Sequence, residues 1–243
     1  MIISNLKRFL QESSQCAIAA CACIGNYYNK KINYDNTKKV ALTVCEGVSH
    51  RSGLDAGEMG ILLNKLGFRD VTIISTDMGY LDYSWEKLNK NELIDKLVSV
   101  ARKSSHPYRY ISKKISDFLI HPHYNNHLVI DYHFGDIIRK HISLNCPVII
   151  SFNWSLFFKL PKYDGNHVDP IFGDPEFHAV VVYGYDSHGV FILDSHQEDY
   201  KYRLKKFRSG RYKMLWEDLM IGMANGEITI PTQYNKGYAC ELV

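Results

Sequence analysis

Residues 178–195 read "HAVVVYGYDSHGVFILDS". Two runs of β-branched and aromatic residues, at 178–185 and 190–194, flank the polar, turn-forming segment "DSHG". This arrangement predicts two antiparallel strands joined as a hairpin. Polar side chains stand at the outer ends of both strands, with His178 opening the first and Asp194 closing the second. The hairpin therefore predicts an imidazole and a carboxylate at the same edge of a sheet.

The two strands of this hairpin differ in length. Eight residues run from His178 to Tyr185, whereas five run from Val190 to Asp194. Neighbouring strands lie about 5 Å apart, so the outer ends can approach each other. Because the lengths differ, we expect a β-bulge or a longer turn wherever the imidazole and the carboxylate meet directly.

Upstream of the hairpin, the sequence predicts one further strand in "PVIISF" at 147–152 and, before it, mostly helices. Ser13 or Ser14 is a candidate cap for a first helix of small apolar residues. A helix over 54–66 ends before Gly67 and precedes a strand over 71–75. Two more helices are predicted, one after Asn89 with Glu92 completing a capping box, and one over residues 131–144.

The pattern of elements predicts the α+β class. Helices dominate the N-terminal half and strands the C-terminal half, which favours a helix packed on an antiparallel sheet. The chain contains no repeat, no low-complexity tract and no composition shift typical of a linker. We therefore expect residues 1–243 to form a single domain.

Composition excludes several classes of protein. The 243 residues are 46% hydrophobic and 23% charged, with a formal net charge of +3, as expected for a globular chain with a sizeable core. That charge is far below that of a dedicated nucleic-acid binder. The longest apolar runs are strand-sized, so no membrane span is expected, and the N-terminus lacks a secretory-signal pattern. We expect a cytoplasmic protein, or one exported by a signal-independent secretion system.

Six cysteines occur in the chain, and we expect them to be reduced thiols. Cys16 differs from the rest because it stands at the predicted start of the first helix, where the helix dipole and unpaired N–H groups favour a thiolate. A nucleophilic thiolate needs a histidine base oriented by a further polar group. His178 and Asp194 are the candidates for these two roles. The other five cysteines are expected to be packing residues: Cys21, Cys23, Cys45, Cys146 and Cys240.

The order of these residues resembles a known family. Gln11, then Cys16 opening a helix, then His178 in "HAVVVYGYD" and Asp194 in "VFILDS", is similar to the papain-like cysteine peptidases of the double-glycine leader peptidase type. The match covers residues 9–28 and 147–195, with "WEDLM" at 216–220 as a weaker similarity. Residues 69–135 are not matched and are interpreted as an insertion that shapes or covers the cleft.

The resemblance implies a papain-like fold and a role for each matched residue. Cys16 would be the nucleophile, His178 the general base and then acid, and Asp194 the residue that orients His178. Gln11 would donate a hydrogen bond to the oxyanion, an interaction typically worth about 3 kcal/mol in the transition state. The family usually has Gly after the nucleophile and often Asp before it, whereas this chain has Ala17 and Gln15.

Three functional hypotheses follow from these residues. The first is a thiol hydrolase that cleaves a peptide or amide bond of a peptide or protein substrate through an acyl-enzyme, without a cofactor or a metal. The second is a glutamine deamidase or acyltransferase, of the transglutaminase-like or effector type, which uses the same triad. The third is a catalytically inactive papain-like module that binds a partner.

Two further segments carry clusters of polar residues. The histidines of "HPHYNNHLVIDYHF" at 121–134 lack a zinc-ligand spacing and are interpreted as a solvated loop. The basic stretch "KYRLKKFRSGRYK" at 201–213 is interpreted as the exposed face of a hairpin, with docking of an acidic partner as the alternative. Neither segment predicts a nucleic-acid site.

Overall fold

A computed structural model describes residues 1–45, 53–164, 167–196, 210–234 and 238–239 of the chain. The described residues contain eight α-helices and one 3₁₀ turn at Tyr83–Trp85. The helices are α1 (Cys16–Tyr28), α2 (Tyr34–Val44), α3 (Ala56–Lys65), α4 (Lys90–Lys103), α5 (Tyr108–Ile120), α6 (Phe134–Ser143), α7 (Trp154–Phe158) and α8 (Trp216–Gly222). None of the helices in these ranges has the length and hydropathy needed to cross a bilayer.

The strands form one large sheet and one small ribbon. In chain order they are β1 (Phe68–Ser75), β2 (Asn125–Ile130), β3 (Val148–Asn153), β4 (Tyr163–Asp164), β5 (His167–Val168), β6 (Phe177–Tyr185), β7 (Gly189–Leu193), β8 (Arg211–Leu215), β9 (Glu227–Tyr234) and β10 (Tyr238–Ala239). The large sheet has the order β2-β1-β9-β3-β6-β7-β8, with β10 beside β9, and β4 pairs with β5 separately. All its pairings are antiparallel except that of β1 with β2.

The α+β class predicted from the sequence is confirmed, and the helix that begins at Cys16 packs on the sheet as expected. Strand β6 is buried at seven consecutive positions, 178–184, the pattern of a strand covered on both faces. Helices α1, α6 and α7 pack against it. Strand β6 of the predicted hairpin therefore lies inside the core of the protein.

The predicted β-bulge is present in the β6–β7 hairpin. The register pairs Val181 with Leu193 and Val182 with Ile192, then shifts before Gly184. This irregularity accommodates the unequal strands. Since Val181 is opposite Leu193, Asp194 emerges from β7 close to the first residues of β6.

Several predicted helices and strands are confirmed with small shifts of their ends. Helix α4 has the predicted capping box, with the Asn89 side chain accepting from the N–H of Glu92 and the Glu92 side chain accepting from that of Asn89. Gly67, with a φ of 110°, ends the helix α3 segment and leads into β1. The cap prediction for α1 is wrong: its N-cap is Gln15, without a side-chain cap, and Ser14 has a φ of 57°.

The expectation of uniformly reduced cysteines is wrong for Cys146, which is disulfide-bonded. Four cysteines of the described ranges are free, namely Cys16, Cys21, Cys23 and Cys45. Cys21, Cys23 and Cys45 are buried in the core, in agreement with a packing role.

The interpretation of the histidine segment agrees with the structure only in part, and that of the basic stretch can be compared with it only in part. The histidine segment is only partly a loop, because His127 lies in β2, at the edge of the large sheet. The basic stretch at 201–213 falls mostly outside the described residues, and its described end, from Arg211, belongs to β8.

Candidate active site

The site is built where α1 meets the start of β6. Cys16 is the first residue of α1 and is half-buried, and His178 is the second residue of β6 and is buried. The backbone N–H of Ala179 donates to the Cys16 Sγ across 3.5 Å. The packing of α1 against β6 therefore brings a thiol to the strand that carries the imidazole.

His178 connects the thiol to a carboxylate. Its Nε2 lies 2.8 Å from Oδ1 of Asp194, and the ring is close enough to the Cys16 thiol for each group to shift the pKa of the other. Because Nε2 is engaged by Asp194, Nδ1 is the ring nitrogen left to face the sulfur. The three side chains predicted from the sequence are thus brought together in the order thiol, imidazole, carboxylate.

Asp194 is held by several donors besides His178. The backbone N–H of His196 donates to Oδ1 at 2.8 Å, and the Tyr212 hydroxyl donates to Oδ2 at 3.1 Å. Burial opposes ionisation of this carboxyl, but the charge and hydrogen bond of His178 together with these donors lower its pKa below the ordinary value. Asp194 is therefore a carboxylate fixed in position and able to stabilise an imidazolium.

The electrostatics of the pair favour a thiolate beside an imidazolium. Burial acts to raise the pKa of Cys16, but the hydrogen bond and charge of His178, with the N–H groups of Ala179 and Ala17, lower it overall. Burial acts to lower the pKa of His178, but Asp194 and Cys16 raise it overall. The two shifts have opposite directions, and each favours the charged form of its group.

The other free thiols of the described chain lack this environment. Burial raises the pKa of Cys21 well above its ordinary value and raises those of Cys23 and Cys45 to about 12. Cys16 alone among the four has a lowered pKa. The identification of Cys16 by its place at a helix start thus agrees with its electrostatic environment.

Gln11, in the N-terminal segment, is hydrogen-bonded to Ser195, the residue that follows Asp194. Its backbone N–H donates to the Ser195 carbonyl at 2.9 Å, and the Ser195 hydroxyl donates to its Oε1 at 2.7 Å. Both side chains are buried. Ser195 therefore fixes the orientation of the Gln11 amide next to the end of β7.

Sequence reasoning missed three residues that support the site: Trp154, Ser195 and Tyr212. The Trp154 ring lies over the His178 ring with centroids 4.0 Å apart and planes 32° apart, and it is buried. Trp154 directly follows β3, whose Phe152 pairs with His178. This pairing explains why Trp154 lies near the imidazole. The pairing is a property of the folded sheet, so the sequence alone did not indicate this contact.

A cleft of about 310 Å³ opens beside the thiol and the imidazole. Apolar side chains of Leu54, Ile111 and Phe177 line part of it, and three acidic residues line another part. No group of three or more His, Cys, Asp or Glu side chains in the described ranges is placed to hold a metal ion.

Comparisons with known proteins give little beyond this geometry. No family model matches the sequence, and no curated protein matches it. A crystal structure of a candidate C39-like peptidase from Bacillus anthracis is similar over 96% of this chain and 98% of that chain, with 14% identity and a TM-score of 0.47. At this level the similarity does not identify a family for the chain.

Proposed function

We propose that the protein is a papain-like thiol hydrolase that cleaves a peptide or amide bond through an acyl-enzyme formed on Cys16. The observation that carries the proposal is that Cys16 and His178 shift each other's pKa towards the charged form, while His178 Nε2 lies 2.8 Å from Asp194 Oδ1. This is the arrangement that nucleophilic catalysis by a thiol requires.

The first half of the reaction uses the charged pair. The Cys16 thiolate attacks the substrate carbonyl carbon, and the carbonyl oxygen becomes an oxyanion. His178, carrying the proton as an imidazolium, gives it to the leaving amine nitrogen as the carbon–nitrogen bond breaks. Asp194 holds the imidazole in place throughout by accepting from Nε2. The products are a free amine and a thioester on Cys16.

The second half regenerates the enzyme. Neutral His178 takes a proton from water, and the resulting hydroxide adds to the thioester carbonyl. Cys16 leaves as a thiolate, the carboxylic acid product departs, and the imidazolium is restored. This step reverses the proton transfer of the first half, so the same two residues serve both.

The oxyanion of both halves would be stabilised at the start of α1. The first N–H groups of a helix have no partner within the helix, and Gln15 gives α1 no side-chain cap. We propose the backbone N–H of Cys16 and the side-chain NH₂ of Gln11 as the two donors. The bond from the Ser195 hydroxyl to Gln11 Oε1 supports this role, since it fixes the orientation of the amide.

Residues 69–135, proposed as an insertion in a single domain, contribute to the substrate cleft. Asp77 and Ile111 from this segment line the cleft beside Cys16. Part of the same segment, β1, lies within the large sheet next to β9. We propose that this segment helps to determine which peptide or protein substrate enters.

The proposal is tested with a peptide library incubated with the wild-type chain and with Cys16→Ala. Alanine suits a helix and replaces the thiol with little change in volume, so the variant is expected to fold. New peptide termini that appear with the wild type but not with Cys16→Ala support the hydrolase. Conversion of glutamine to glutamate without cleavage would instead support the deamidase, and identical products from both chains would contradict covalent catalysis by Cys16.

A further inference from the structure

The cleft beside Cys16 contains three carboxyl side chains from three different elements or turns. Asp55 is the N-cap of α3, Asp77 follows β1, and Glu227 opens β9. All three line the cleft, and no lysine or arginine of the described residues lines it with them. We propose that this cleft binds the side chain of a lysine or arginine of the substrate, close to the bond that Cys16 attacks.

The acidic side chains are built into the protein rather than scattered on its surface. The Tyr80 hydroxyl donates to Glu227 Oε1 at 2.6 Å, and Tyr80 is itself buried. The N–H of Gly79 donates to Asp77 Oδ1 at 2.8 Å. These bonds fix two carboxyl groups at the wall of the cleft.

Asp55 provides an independent indication of a missing ligand. Its Oδ1 accepts from the N–H of Glu58, as a helix cap does, but its Oδ2 is buried and has no hydrogen-bond partner. A buried polar atom without a partner costs free energy unless a ligand or water satisfies it. The ammonium of lysine or the guanidinium of arginine carries the N–H donors that this oxygen lacks.

Electrostatics point to the same ligand. Burial is the main cause that raises the pKa of Asp55 and of Asp77, and that raises the pKa of Glu227 to about 7. The charge of Glu227 adds to the rise for Asp55, and the charge of Asp77 adds to the rise for Glu227. The charge of Lys114, which is buried and lies 4.0 Å from Glu58, acts in the opposite direction on Asp55. A cation bound in the cleft would relieve the repulsion among the three groups.

The cleft also suits the length of a basic side chain. Leu54 and Ile111 offer apolar surface on which the methylene stem of lysine or arginine can lie while its head reaches the carboxylates. Glu227 pairs with Ser151 on β3, and Ser151 pairs with Ala179 on β6. Two strand spacings of about 5 Å thus separate Glu227 from the residue that donates to Cys16.

The distance between Glu227 and Ala179 indicates where the basic residue stands in the substrate, relative to the attacked carbonyl. An extended peptide advances about 3.3 Å per residue, so a side chain one or two residues from the attacked carbonyl reaches Glu227. A role for the bound side chain in substrate selection rests on the proposed function. The binding of a basic side chain to the cleft does not depend on it.

The test measures binding without chemistry. Calorimetric titrations of the full-length Cys16→Ala chain use Nα-acetyl-arginine N-methylamide and its citrulline counterpart, which has the same shape and no charge. We expect the arginine compound to bind at least about tenfold more tightly, as a charge-assisted hydrogen bond in a partly buried site allows. Equal affinities, or no binding of either compound, would overturn the proposal.

Further substitutions in the Cys16→Ala chain test whether the preference for the arginine compound arises in the cleft. Glu227→Gln keeps the shape and the acceptor for Tyr80 and is expected to bring the ratio of affinities close to one, and Asp77→Asn to reduce it. Asp136→Asn, an exposed residue on α6 that pairs with Arg139, is the matched control and should leave the ratio unchanged. A loss of the preference in the Asp136→Asn chain, or its retention in Glu227→Gln, would contradict the assignment.

Failure of the proposed function gives a different result. In that case the wild-type chain and Cys16→Ala turn over peptides equally, while the difference between arginine and citrulline binding persists. The two proposals can therefore fail independently.

Discussion

At the scale of single residues, the chemistry of Cys16 depends on neighbours supplied by distant parts of the chain. His178 and Ala179 come from β6, and Ala17 from the first turn of α1. Burial alone would make this thiol as inert as Cys21. The hydrogen bonds and charge of these neighbours account for the lowered pKa, so the low pKa belongs to the arrangement and not to the cysteine itself.

The proposed oxyanion donor gives a prediction at this scale. We expect Gln11→Ala to lower kcat by about 100-fold, the usual loss for one oxyanion donor. Ser195→Ala should lower kcat by about fivefold, the net value of one neutral hydrogen bond, because the amide keeps its donor but loses its fixed orientation. Steady-state kinetics of peptide cleavage provides the measurement.

The control for this prediction is Ser143→Ala, which removes an exposed serine hydroxyl at the end of α6. Its kcat should equal that of the wild type. A loss of kcat in Ser195→Ala as large as that in Gln11→Ala would show that Ser195 acts by more than orienting the amide. Unchanged kcat in Gln11→Ala would remove this residue from the oxyanion site.

At the scale of elements, capping and close packing determine stability. The capping box of α4 involves Asn89 and Glu92, both of which are exposed, so its contribution can be removed without disturbing the core. We expect Asn89→Ala to cost about 1 kcal/mol of unfolding free energy and to lower Tm by about 2–4 °C.

Thermal unfolding monitored by circular dichroism measures this change. Asn91→Ala in the same turn serves as the control, since its side chain is exposed and accepts no bond in the cap. Equal Tm values for Asn89→Ala and the wild type would show that the box does not stabilise the folded chain.

Helices α3 and α5 approach closely at Gly57. A Cβ on this residue would lie 2.5 Å from the backbone carbonyl carbon of Lys114, a contact that no side-chain movement can relieve. We therefore expect Gly57→Ala to destabilise the protein by about 1–3 kcal/mol, the usual cost of overpacking. Chemical denaturation gives the free energy of unfolding for the comparison.

Gly135→Ala is the matched control for this contact. Its Cβ would lie 3.4 Å from an Arg139 side-chain nitrogen, which can move, and alanine is the better helix former. This variant should be neutral or slightly stabilising. Similar stabilities for the two glycine variants would contradict the proposed close approach of α3 and α5.

The sequence predicted those helices and strands that carry a complete local pattern of residues. The β6–β7 hairpin and α4 each carry a complete local pattern, a turn between apolar runs or a capping box, and both are confirmed. Strand β9 was missed because Pro231 interrupts its apolar pattern, and the structure places Pro231 next to a register shift against β1. Helix α2 was missed because most of its apolar residues cluster at its C-terminal end and do not recur at helical spacing, and only Thr37 and Ala41 are buried.

At the scale of the whole molecule, the site is a product of topology. Cys16, His178 and Asp194 were selected from the sequence because each stands at the end of a predicted element, and the fold joins those ends. Trp154 and Tyr212 could not be predicted in the same way. Their contacts with the site depend on how β3 and β8 align with the hairpin, which no local pattern encodes.

The proposed chemistry requires that His178 convert Cys16 into a thiolate. The rate at which iodoacetamide alkylates Cys16 as a function of pH, followed by mass spectrometry of the labelled peptide, measures this conversion. The thiolate fraction rises with pH through the thiol pKa, so a lowered pKa moves the midpoint of the rate profile to lower pH.

We expect a midpoint for Cys16 below that of N-acetylcysteine amide measured alongside. In His178→Ala the hydrogen bond and charge of His178 are lost while burial and the two backbone N–H groups remain, so the midpoint should move to higher pH than in the wild type. A wild-type midpoint at or above that of the reference, or a midpoint that His178→Ala leaves unchanged, would contradict the claim.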